Sequence, residues 1–163
     1  MLTVLQEKLG DAHGLAIAAA VTVDRVEERL ADRDLRVVLG RMRLEANEAR
    51  ARCLELEDLL GGEAAQEILA HANRVSEKAS NLAGAWFKAG TGPLDAWSFL
   101  AMGEAAEVAT WRALDSLARR DGDQRLVALA EWGLPVQERH LADALSGVIT
   151  LAESFRPGDP RWG

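Results

Sequence analysis

Apolar residues recur at three- and four-residue intervals along nearly the whole of this sequence, and the recurrence stops at only four places. Ala31-Asp-Arg-Asp34 closes a first segment and offers Asp32 or Asp34 as the next helix N-cap. Gly61-Gly62 closes a second, glycine being suited to the left-handed residue just past a helix. Gly90-Thr-Gly-Pro93 closes a third; Pro93 fits the first turn of another helix, with Asp95 favourable at its positive end. Asp121-Gly-Asp123 is a tight turn carrying a fresh N-cap. The expected fold is therefore all-α: two helical hairpins joined by a crossover helix, one recognised wiring of a four-helix bundle. A single domain over residues 1–155 is expected, followed by a short irregular tail, 156–163, whose two prolines cannot continue a helix.

Composition narrows the class. At 163 residues, 48% hydrophobic and 28% charged, the chain can build one continuous core without staples. A net charge of −7, with arginines alternating with acids, argues against a nucleic-acid face. No stretch approaches the roughly 20 apolar residues of a membrane span. The opening segment Met1–Lys8 lacks the basic and apolar regions of a secretory leader, and Cys53 alone cannot form a disulfide framework. A cytoplasmic location is the expectation.

Chemistry is to be sought where titratable groups fall on apolar stripes. Glu104 shares a face with Leu100, Ala101, Val108 and Trp111; His140 and, one turn earlier, Gln137 share one with Val136 and Ala144; His13 lies among Leu9, Ala16 and Ile17. Glu45 borders its stripe beside Met42 and Ala49, whereas Glu48 belongs to the charged face and pairs with Arg52 at i, i+4. Folding the last two segments about Asp121–Asp123 places Glu104 opposite His140. Two readings are open for that pair: a hydrogen bond across the core, or a shared metal ion. His13 mirrors to the neighbourhood of Cys53 and reads as a satisfied core or edge histidine; Cys53 reads as a small core residue and His71 as exposed or structural. Trp86, Trp97, Trp111 and Trp132 stand at core spacing, and Pro135 should kink the last helix.

These residues resemble the ferritin-like superfamily, specifically rubrerythrins and the YciE/YciF-type bacterial stress proteins. Glu104-Ala-Ala-Glu107-Val-Ala-Thr-Trp111 is similar to the family's Glu-His-x-Glu-Ile-Ala-x-Tyr stretch, and Gln137-Glu-Arg-His140 to its Glu-x-x-His segment. The spacing from Glu104 to Gln137 nearly repeats that from His13 to Glu45. The resemblance implies a doubled hairpin with metal ligands at Glu104, His140, Glu45, His13, Glu107 and Gln137. It departs from the family at Ala105, His13, Met42 and Gln137, and the chain has no tyrosine, which excludes a tyrosyl radical. What the resemblance implies is a mono- or dinuclear metal site holding iron, manganese or zinc, used in iron or oxidative-stress handling. A catalytic role, left open, would be that of a metal-dependent oxidase or peroxidase-like oxidoreductase. The alternative is a metal-free scaffold for dimerisation or partner docking. A homodimer is expected by analogy, without nucleic acid or membrane.

Overall fold

A computed structural model describes residues 1–158; most of the expected irregular tail, residues 159–163, lies outside the described residues. Among the described residues there are five helices and no strand: α1 (Val4–Glu27), α2 (Arg33–Leu60), α3 (Gly62–Trp86), α4 (Pro93–Asp121) and α5 (Gln124–Glu153). No helix among them is long and apolar enough to cross a membrane.

The stops act as their chemistry requires. Asp32 caps α2 by accepting from the Leu35 amide at 2.9 Å, and Asp123 caps α5 by accepting from the Arg125 amide. Pro93 opens α4. Gly61 and Gly122 end α2 and α4 with positive φ, 68° and 84°, where a Cβ would be strained. Helix α1 ends earlier than expected, at Glu27, and α5 runs on through Pro135.

Helix α1 packs on α2, α3 and α4; α5 packs on α4 and α2; α3 also touches α2. Helices α1 and α3 run parallel, since Gly10 lies against Ile68 and His71 while Gly14 lies against Ala72 and Val75. Helices α4 and α5 run antiparallel, with Trp111 against Gly133 and Trp97 against Gly147. Antiparallel contact between α2 and α5 follows from the ion pairs Arg41–Asp143 and Glu45–His140. The apolar core has two parts. One gathers Leu9, Cys53, Ile68, Trp111, Leu114 and Leu126; the other gathers Val26, Leu39, Met42, Trp97, Leu100 and Leu151. On α2, α4 and α5, the residues between these two parts include Glu45, Glu104, Glu107, Gln137 and His140.

Trp86, expected in the core, lies outside it, as do Leu82, Leu145 and Ile149, which also stand at helical spacing; each is more than a third exposed. On α3 only Ile68, Ala72 and Ala83 are buried, because this helix has neighbours on one side. On α5 the inward stripe is Ala144, Gly147 and Leu151, facing Trp97, which leaves Leu145 and Ile149 on the far side. The Trp86 indole is instead a flange: it donates to the Asp95 carbonyl at 3.1 Å and its ring tilts against Phe99.

Helix–helix separation at α4/α5 is set by glycine. A Cβ at Gly133 would stand 2.2 Å from the fully buried Trp111 ring, which has nowhere to retreat. Gly40, in mid-α2, faces open space. Gly133→Ala is expected to lower unfolding stability by about 2 kcal/mol or more, and Gly40→Ala to raise it by about 0.5–1 kcal/mol. Urea midpoints of the two variants check this.

Candidate functional site

The most connected buried residue is His140. Its Nε2 bonds to Glu45 Oε2 at 2.7 Å, bringing α5 onto α2. Its Nδ1 lies 3.4 Å from Glu104 Oε2 on α4, an ionic contact rather than a hydrogen bond. Arg139, next in the chain, donates to the other Glu45 oxygen at 2.6 Å. The imidazole thus stands between two carboxylates from different helices. Burial alone would lower its pKa; the charges of Glu104 and then Glu45 outweigh this and leave it above the ordinary 6.5. Burial would likewise raise Glu45, but the bonds from His140 and Arg139 hold its carboxyl below 4.5.

One turn along α4 from Glu104, Glu107 is buried. Burial first, and the Glu104 charge second, push its carboxyl well above the usual 4.5. Gln137, a turn before His140, is buried with its Oε1 lacking a hydrogen-bond partner; Glu104 Oε2 and Glu107 Oε2 share that condition.

His13 belongs to a separate pair. Its Nδ1 meets Glu57 Oε1 on α2 at 2.8 Å, both side chains almost fully enclosed. Cys53, a turn before Glu57, is a closed thiol: burial, helped by the carboxylates of Glu57 and Glu107, raises its pKa far above the reactive range. Outside the core, His71 bonds to Asp11 at 2.8 Å, and Glu48 pairs with Arg52 at 2.7 Å.

Of the six residues singled out from sequence, Glu104, His140 and Glu45 come into contact, with Glu107 and Gln137 a turn away along their helices. His13 stands apart with a partner, Glu57, that sequence reasoning missed. Glu57 lies between the acidic Glu55 and Asp58 and so reads as part of a solvated face. The signal available was its i+4 spacing from the apolar Cys53.

Imidazole and carboxylate donors suit iron, manganese or zinc in kind. Both ring nitrogens of His140 are engaged, on opposite edges, by different carboxylates, and the His13 Nδ1 is engaged by Glu57. Among the described residues, no three His, Cys, Asp or Glu side chains form a group that could hold a metal ion. No family model, curated protein or solved structure matches the chain.

The titrating groups fix a pH dependence. The folded pKa of Glu107 is raised, so its contribution is complete below about 4.5 and is lost as pH rises towards the folded value. The raised His140 contributes fully below 6.5 and loses that contribution at higher pH. The depressed Glu45 works oppositely: its contribution is present above 4.5 and is lost in acid. Stability should therefore fall as pH rises above 4.5, and further as it rises above 6.5. Glu107→Gln, neutral at every pH, should flatten that fall. Urea titrations across the range test this; parallel wild-type and variant profiles would contradict it.

Proposed function

We propose that this chain is a ferritin-like four-helix bundle acting as a metal-free binding scaffold, its central polar layer held by carboxylate–imidazole contacts. The fold part of the reading is supported by helix order and pairing. Helices α1/α2 and α4/α5 are the hairpins, α3 is the crossover, and α1, α2, α5 and α4 each pack on the next. The functional part is carried by one observation: His140 is contacted at both edges by carboxylates of α2 and α4, so neither ring nitrogen is left free. Self-association as a homodimer goes with this reading, supported by the exposed Leu145 and Ile149, a turn apart on α5.

A second reading, a single iron, manganese or zinc ion bound at Glu104, His140 and Glu45, or with His13, Glu107 or Gln137, is favoured by the unpartnered oxygens of Glu104, Glu107 and Gln137. An ion there would have to break an existing carboxylate–imidazole contact. The two readings part in one experiment. Protein reconstituted anaerobically with Fe²⁺, Mn²⁺ or Zn²⁺ and then desalted is expected to carry metal far below one equivalent, while sedimenting as a dimer. Near-stoichiometric metal that is lost in His140→Ala would establish the second reading instead.

A further inference from the structure

A cleft of about 210 Å³ opens between α1, α3 and α4. Its walls are apolar: Leu15 and Ala18 from α1, Leu82 from α3, Phe99 and Met102 from α4. The Thr22 hydroxyl at its edge is spent on the Ala18 carbonyl at 2.9 Å. Its remaining polar lining consists of Glu104 and Glu107, only 2% and 3% exposed, each with an Oε2 that has no hydrogen-bond partner. The cleft therefore pairs an apolar passage with two buried carboxyl groups, Glu104 facing His140 at 3.4 Å and Glu107 with its Oε2 unpartnered.

That combination selects a chemistry. An ionised carboxyl group offers only acceptors, and among the described residues no lysine, arginine or histidine lines the cleft. An anionic occupant would be repelled, and a purely apolar one would leave the carboxyl oxygens unsatisfied. An ammonium head brings three donors and the opposite charge, and an alkyl chain behind it covers the apolar walls. The volume lies below the roughly 300–1,000 Å³ of sites for drug-sized ligands, which restricts the occupant to a short chain. We propose that this cleft binds a short-chain primary alkylamine, with its ammonium on Glu104 and Glu107 and its chain against Leu15, Leu82 and Phe99. The proposal deepens the scaffold reading and rests on it, because a metal ion on Glu104 would compete for the same oxygens.

Gly103 gives a test that leaves the carboxylates alone. It lines the cleft, and a Cβ there would meet nothing within 4 Å, so a larger side chain can enter the passage without disturbing the core. Calorimetric titration of chelator-treated full-length protein with n-hexylamine is expected to give saturable one-to-one binding. 1-Hexanol and hexanoate should bind at least tenfold more weakly. Gly103→Leu should abolish hexylamine binding with the fold intact by circular dichroism, and Glu104→Gln with Glu107→Gln should weaken it at least tenfold. Absence of saturable hexylamine binding overturns the proposal, as does equal binding of hexanol or unchanged binding by Gly103→Leu. Because the protein is stripped of metal beforehand, each of these outcomes stands whichever way the separate metal assay falls.

Discussion

An imidazole held between two carboxylates is the contact on which the helix arrangement turns. His140 joins α5 to α2 through Glu45 and faces α4 through Glu104, so one side chain ties three helices. Such a layer adds little net stability compared with apolar packing, because desolvation of the charges offsets most of their attraction. What it adds is register. Sliding α5 along α4 by one turn would move His140 off Glu104 and strand a buried carboxylate, which costs several kcal/mol. The apolar clusters on either side contain many interchangeable leucines and alanines and would tolerate such a slip better.

Steric fit reinforces that register. Trp111 and Trp97 lie against Gly133 and Gly147, and the Trp97 indole donates to the Ala144 carbonyl at 2.7 Å. Each ring fits only where a residue without a Cβ faces it. Polar layer and indole rings thus select the same alignment by independent means. Glu107 shows what this arrangement costs: it is buried a turn from Glu104, and burial and that neighbouring charge push its carboxyl well above its usual range.

Much of this was legible in the residues. Helix limits followed from Asp32, Gly61, Pro93 and Asp123, whose effects are local. The Glu104–His140 pairing followed from folding one short hairpin, where the loop leaves little freedom. Contacts between helices distant in sequence were not legible. Glu45 bordered its stripe, and nothing in the sequence said that His140 and Arg139 would both reach it. Glu57 was hidden by its acidic neighbours, although His13 needed such a partner. Trp86, Leu82, Leu145 and Ile149 matched helical spacing but not burial, since periodicity gives a face and not the number of neighbours covering it.

If protein carboxylates fix His140 as a charged imidazolium, the ¹⁵N resonances of its ring must report that charge. The chain has only three histidines, so loss of signals in His140→Gln identifies them. In chelator-treated protein, both ring nitrogens should keep the protonated signature as pH rises past 6.5, losing it only above that value. A ring that becomes a single neutral tautomer at or below 6.5 would contradict this, for the two carboxylates would then not be holding it.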